Sequence, residues 1–140
     1  MKNILRLAAL AVAFSFVAMN AHARGAVAIV NYETVPAVHA SGQPASAEQV
    51  RAALQAAGPV HGWQMTAAGA NRVVAMLSVR GKHSVTADIS YAAGQYSIKY
   101  RDSTNMNYEP GNGAGMIHPK YNMWVQALMD DIRMQLAKQQ

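Results

Sequence analysis

The sequence predicts an α+β domain of two layers, in which a four-stranded antiparallel meander, with a possible fifth edge strand, carries two helices packed on one face. Apolar and polar residues alternate across much of residues 73–101, which is the pattern of strands with one buried and one solvated face. A capped helical segment begins at Ser46, and an apolar stripe at helical spacing follows Pro119. These three observations together predict a sheet that is covered by helices.

The central hairpin of the meander is predicted from two alternating segments, residues 83–91 and 96–101. The four-residue loop between them, residues 92–95, contains a glycine that can adopt a positive φ. A loop of this length aligns Ile89 with Ile98, so that the apolar faces of the two strands coincide. We therefore predict that both isoleucines lie in the core.

The length of the preceding connection decides which face of the strand at residues 73–79 is buried. A two-residue turn would pair Val79 with Ser84 and direct the apolar side chains outwards. A three-residue connection, residues 81–83, instead pairs Val79 with Val85 and keeps the apolar face continuous. We therefore predict a three-residue or bulged hairpin at this position.

Three further elements are predicted from capping residues and local composition. Ser46 and Gln49 form a capping box that opens a short helix, and Gly58, which a proline follows, ends it. Residues 61–67 have the pattern of the next strand of the meander. Residues 26–32 are apolar but alternate poorly, and we predict a short edge strand there.

The last helix is predicted to begin at Pro119, since proline fits the first turn of a helix. Its apolar residues recur at a spacing of three and four and so form one stripe. The stripe consists of Tyr121, Trp124, Val125, Leu128, Ile132 and Leu136. We expect it to cover the buried face of the sheet, with Trp63 and Trp124 both in the core.

The N-terminal residues have the pattern of a secretory signal peptide. Two basic residues precede an apolar run, residues 7–17, and a small-x-small cleavage site ends at Ala23. The apolar run is too short to span a membrane. We therefore assign residues 1–23 to a signal peptide and residues 24–140 to a single α+β domain, which we expect to be periplasmic or secreted.

The composition excludes several classes of function. The 140-residue chain contains no cysteine, which excludes disulfides, thiol nucleophiles, thiolate metal sites and a lipobox anchor. Removal of Lys2 and Arg6 leaves ten of the twelve basic residues against seven acidic ones, a net charge of +3. This charge is small and not clustered, so we expect no nucleic-acid partner.

Several motifs resemble those of a group of small exported proteins and lipoproteins of Gram-negative bacteria. In chain order they are HGW at residues 61–63, LSVR at 77–80, YSIKYRDS at 96–103 and IHPKYNMWV at 117–125. The likeness covers most of residues 46–135. It implies a location in the envelope or outside the cell, and it implies no activity. Many members carry a lipobox cysteine and an arginine before Gly-Trp, and this sequence has neither.

No combination of residues in the sequence predicts a catalytic site. Asp130 and Asp131 are adjacent on a helix and point in different directions, so we interpret them as solvated helix charges. A Ser-His-Asp set assembled from Ser103, His118 and Asp102 lacks a nucleophile elbow. We therefore expect a non-catalytic protein without a cofactor, acting as a binding or interaction module.

The first candidate binding surface is the long segment before the last helix. Residues 102–117 are rich in Asn and Gly and are predicted to be a connection without regular structure, and such connections are often functional. The segment leads to a helix N-terminus, a position suited to anions. The candidate ligand- or partner-binding residues are Asn105, Asn107, Tyr108, His118 and Lys120.

The second candidate surface is the solvated face of the sheet, where an apolar pair rimmed by cations suits a partner or dimer contact. Its candidate residues are Val74, Met76, Arg80, Lys99 and Arg101. The expected partner is an unidentified envelope or extracellular protein or a small ligand, and homodimerisation is a further possibility.

The alternative function is soft-metal binding. Met116 and His118 place a thioether and an imidazole close together in the chain, and ligands of this kind suit Cu(I) in an exported protein. The competing interpretation is that the methionines fill gaps in the core.

Overall fold

The computed structural model describes residues 25–140 and confirms the α+β architecture. The predicted signal peptide, residues 1–23, lies outside the described residues. Within residues 25–140, the chain forms a five-stranded antiparallel sheet, a second sheet of two strands and two α-helices. The helices pack on the five-stranded sheet, so the two-layer arrangement is confirmed.

Within the described part of the chain, seven strands form the two sheets. Their bounds are β1 Val27–Ala28, β2 Tyr32–Pro36, β3 Gln64–Ala67, β4 Arg72–Val79, β5 His83–Ala92, β6 Gln95–Thr104 and β7 Met116–Ile117. The large sheet has the order β2-β6-β5-β4-β3, and β1 pairs with β7 in the small sheet. Strands β3 to β6 are neighbours both in the chain and in the sheet, which confirms the four-stranded meander.

The helices begin and end close to the predicted positions. Helix α1 covers Ala47–Ala57, a 3-10 turn covers Gly58–His61, and helix α2 covers Lys120–Lys138. The Ser46 hydroxyl accepts the N–H of Gln49 at 3.1 Å, and the Gln49 side chain accepts the N–H of Ser46 at 2.9 Å. This is the predicted capping box, and it satisfies two backbone donors that the first turn of a helix leaves open.

The core lies between the sheet and the helices and contains the residues predicted from the alternation. Ile89 and Ile98 pair with each other and are at most 1 % exposed. Five residues of the α2 stripe are buried, namely Tyr121, Val125, Leu128, Ile132 and Leu136. Trp63 is 2 % exposed, whereas Trp124 is half-buried and packs against the edge of the core.

The connection between β4 and β5 has the predicted length but a different register. Val79 pairs with His83, not with Val85, and Leu77 pairs with Val85. The turn consists of residues 80–82, with Arg80 and Gly81 at φ values of 56° and 64°. The true register differs from the predicted one by two residues, and a shift of two preserves which face is buried. The buried face was therefore predicted correctly, and the pairing was wrong.

The fifth strand of the large sheet lies later in the chain than predicted. Strand β2 pairs with β6, whereas β1, inside the predicted range 26–32, pairs with β7. Pro36 ends β2, and proline is tolerated on an edge strand because its missing N–H faces away from the ladder. A two-residue strand such as β1 is too short to show alternation, so the sequence pattern could not locate it.

Candidate functional site

A cleft of about 420 Å³ opens where three distant segments meet: the β4–β5 turn, the segment after β6, and the start of α2. Its lining consists of Val79, Arg80, His83, Met106, His118, Lys120 and Trp124. We call it the cationic cleft. Small-molecule sites are typically concave regions of this size with a few convergent polar groups, so it is the candidate functional site.

The segment after β6 is folded rather than without regular structure, which corrects the prediction for residues 102–117. Strand β6 itself continues to Thr104. Farther on, the backbones of Glu109 and Met116 exchange two hydrogen bonds of 2.9 and 2.8 Å. Strand β7 then pairs with β1. The segment is therefore held by its own turn and by the small sheet, and it presents a defined wall to the cleft.

Met106 lies at the inner side of the cleft because two asparagines turn the chain around it. Asn105 and Asn107 have φ values of 58° and 53°, in the left-handed region that asparagine tolerates better than most residues. Met106 is 3 % exposed, and its carbonyl accepts the N–H of His118 at 2.8 Å. This bond fixes the position of His118 relative to the segment.

The partners of the two cleft histidines indicate their tautomers. His83 Nδ1 lies 2.7 Å from the carbonyl oxygen of Asn105, so Nδ1 donates and, in the neutral ring, Nε2 is an acceptor. His118 Nδ1 accepts the backbone N–H of Lys120 at 3.1 Å, so the proton of its neutral ring is on Nε2. In the neutral form, Nε2 of His83 is therefore a hydrogen-bond acceptor, and Nε2 of His118 is a donor.

The fixed charges of the cleft are positive. Arg80 comes from the β4–β5 turn and Lys120 from the first turn of α2, and no carboxylate belongs to the lining. Among the described residues, neither side chain forms an ion pair. Because the amide groups at the N-terminus of α2 add a partial positive charge, the arrangement favours an anion.

The predicted binding residues of the long segment are only partly brought together. His118 and Lys120 line the cleft, and Asn105 contributes through its carbonyl oxygen. Asn107 and Tyr108 are not part of the lining. The Tyr108 ring instead stacks on Tyr100, with ring centroids 4.9 Å apart, and it is 41 % exposed. Tyr108 therefore supports the fold of the segment from outside the cleft.

The second predicted surface is divided by the structure. Met76 is 47 % exposed on the open face of the sheet, and its neighbour Val74 is half-buried. Arg80 is not beside them, which corrects the expected rim of cations, because it lies in the β4–β5 turn at the cationic cleft.

The two remaining cations of that surface are each paired with a carboxylate. Lys99 Nζ lies 3.4 Å from Glu33, and an Arg101 guanidinium nitrogen lies 3.4 Å from Asp88. Exposed pairs of this kind contribute little to stability, at most about 1 kcal/mol, but they reduce the positive potential around Val74 and Met76. The open face therefore attracts anions less than the cleft does.

Only one member of the metal pair predicted from the sequence belongs to the cleft. His118 lines the cleft and Met116, which is 37 % exposed, does not. The methionine that lines the cleft with His83 and His118 is Met106. Within residues 25–140, no group of three or more His, Cys, Asp or Glu side chains could hold a metal ion.

The sequence-based interpretation of Asp131 as a solvated helix charge is wrong. Asp131 is 8 % exposed, and its carboxylate lies 2.5 Å from Nδ1 of His61, at the end of the 3-10 turn. The signal was present in the spacing, because Asp131 follows Leu128 by three positions and so falls on the buried side of α2.

A smaller cavity of about 170 Å³ adjoins this pair. It is lined by His61, Trp63, Leu77, Val79, Trp124 and Ala127, and we call it the apolar cavity. Val79 and Trp124 also line the cationic cleft.

Within residues 25–140, no helix combines the length and the apolar character needed to cross a membrane. Comparison of the chain with protein-family models, with curated proteins and with solved structures found no match.

Proposed function

We propose that the protein is a small exported component of the cell envelope that acts as a non-catalytic binding module, and that its ligand is a small anion held in the cationic cleft. The signal-peptide pattern and the resemblance to exported proteins of Gram-negative bacteria support the location. One observation carries the binding site: Arg80, His83, His118 and Lys120 surround a single cleft whose lining contains no carboxylate.

The cleft supplies the groups that anion recognition requires. Arg80 offers several N–H donors in a fixed planar arrangement, and Lys120 offers a compact charge at a helix start. Hydrogen bonds to charged groups contribute about 1.5–3 kcal/mol each. Two such contacts together contribute about 3–6 kcal/mol, which corresponds to weak binding of a phosphate or carboxylate group, from millimolar to tens of micromolar.

Binding of inorganic phosphate, measured by calorimetry and by NMR shifts, tests the proposal. We expect Arg80→Ala and Lys120→Ala each to weaken binding about tenfold or more, because each removes one charge-assisted contact. Lys82→Ala and Lys138→Ala are matched controls, since they remove the same charge from the same turn and the same helix without belonging to the lining. An equal loss in the controls, or no phosphate binding by the wild type, would contradict the proposal.

A soft-metal carrier is the second candidate, because two histidines and Met106 line the same cleft, and imidazole and thioether ligands suit Cu(I). Titration with Cu(I) separates the two functions. Tight binding that His83→Ala abolishes and Arg80→Ala leaves unchanged would favour the metal over the anion. Met116→Ala is the control for the pair predicted from the sequence.

A further inference from the structure

The cationic cleft and the apolar cavity share two lining residues. Val79 on β4 and Trp124 on α2 line both. The cleft holds the charges, whereas the cavity adds Trp63, Leu77 and Ala127. The two spaces therefore lie side by side, one polar and one apolar.

Helix α2 orders these features along one face. Lys120, Trp124, Ala127 and Asp131 follow one another at helical spacing, and the first and last of them mark the two ends. Lys120 and Ala127 are about 10 Å apart along the axis at 1.5 Å per residue. At the far end of this face lies the polar His61–Asp131 pair.

The apolar walls make the cavity suited to a hydrocarbon group. Trp63 is 2 % and Leu77 6 % exposed, so these core residues contribute only a small part of their surface to it. Protein interiors are otherwise close-packed, and an apolar space beside the core gains free energy when it is filled by apolar atoms. Trp124 borders both spaces, so a passage beside its ring would let a ligand with its charged end at Arg80 and Lys120 place its uncharged end in the cavity.

We infer that the two spaces form one groove for a small anionic amphiphile: a phosphate or carboxylate head group in the cationic cleft, and an alkyl or aromatic tail in the apolar cavity. This inference rests on the proposed function, because it places the head group in the cleft described there. An extended alkyl chain advances about 1.25 Å per carbon, so the roughly 10 Å along the helix axis between Lys120 and Ala127 corresponds to a tail of about eight carbons. The groove is thus matched to medium-length tails.

A series of alkyl phosphates tests the inference, with inorganic phosphate as the tail-free member. We expect affinity to rise about two- to fourfold with each added methylene, since each buried methylene contributes a roughly constant free energy, and to level off near eight carbons. Trp63 and Trp124 are the two tryptophans of the chain and both line the cavity. Octyl phosphate should therefore shift their fluorescence, and inorganic phosphate should not.

Ala127→Leu is the decisive variant because its larger side chain fills the apolar cavity without changing any charge. We expect it to remove most of the gain from the tail while leaving phosphate binding unchanged. Ala137→Leu is the matched control, since Ala137 is exposed near the end of the same helix. Thermal unfolding of both variants, together with the fluorescence of the wild type, shows whether a loss of binding is a loss of folding.

The outcomes separate the inference from the proposed function. Phosphate binding with no dependence on tail length would overturn the inference and leave the anion site standing. Absence of phosphate binding would overturn both. A gain that continues past eight carbons, or that Ala127→Leu leaves unchanged, indicates adsorption to the surface and also overturns the inference.

Discussion

Asp131 is the only charged residue that is buried among residues 25–140. The hydrogen-bond partner of its carboxylate is the side chain of His61. His61 Nδ1 lies 2.5 Å from its carboxylate and connects the 3-10 turn to α2 across 70 positions of the chain. A buried carboxylate without a hydrogen-bond partner is unfavourable. The pair therefore holds the 3-10 turn that follows α1 against the last helix.

We expect His61→Ala to lower the free energy of unfolding by about 1–3 kcal/mol, because it leaves the carboxylate without its partner. The double variant with Asp131→Leu should recover most of this loss, since apolar replacements of buried polar pairs are often neutral. Urea denaturation at neutral pH measures both. A His61→Ala variant as stable as the wild type would show that solvent satisfies Asp131.

At the scale of elements, the folded segment between β6 and β7 depends on Gly115. Its φ is +96°, and a Cβ added there would lie 2.6 Å from the carbonyl oxygen of Glu109. The same segment supplies Met106 to the cleft and leads through β7 to His118, which also lines it. A change in its turn is therefore transmitted to the candidate site.

We expect Gly115→Ala to destabilise the protein by about 1–3 kcal/mol, the usual cost of a residue held in a strained conformation, and to weaken phosphate binding as well. Gly111→Ala is the control, because Gly111 has neither a positive φ nor an atom within 4 Å of an added Cβ. Thermal unfolding and the NMR shift of the His118 ring provide the two measurements. Equal stability of the two variants would contradict this role of Gly115.

At the scale of the whole molecule, two tyrosines report on the contact between sheet and helix. Burial raises the pKa of both Tyr96 on β6 and Tyr121 on α2 well above the usual value. The Tyr121 hydroxyl has no hydrogen-bond partner in the described structure. The folded state therefore keeps both phenols protonated at pH values where the unfolded chain releases the protons.

The consequence is a loss of stability in alkali. Below about pH 10 both states hold these protons, and above it only the folded state does, so unfolding becomes more favourable by up to about 1.4 kcal/mol per pH unit for each tyrosine. Tyr121→Phe should make this decline shallower, and at pH 7 it should be neutral or stabilising because it removes an unpaired hydroxyl. Urea denaturation between pH 8 and 11 measures the slope, and an unchanged slope in the variant would contradict the assignment.

How much of this fold could be predicted depends on which structural feature each sequence pattern reports. Alternation reports which face of a strand is buried, so Ile89 and Ile98 were correctly assigned to the core. It does not distinguish registers that differ by two residues, which is why Val79 was paired with Val85 instead of His83. The small sheet was missed because its strands contain two residues each.

The candidate site was harder to predict because it is assembled from distant parts of the chain. His118 and Lys120 were identified because a helix start is a local feature. His83 and Met106 became part of the same cleft only through the order of strands in the sheet. Arg80 was expected on the strand because the β4–β5 turn was predicted at residues 81–83, whereas the turn consists of residues 80–82.

The side-chain amide of Asn122 has a consequence for the order in which the molecule forms. It donates to the carbonyl of Ala28 at 2.9 Å and accepts the N–H of Val30 at 3.1 Å. These two partners precede Asn122 in the chain by 94 and 92 residues. Closing so large a loop carries an entropic cost that local pairing does not. We therefore expect the segment at residues 28–30 to pack only after the strands of the meander have paired and the last helix has docked.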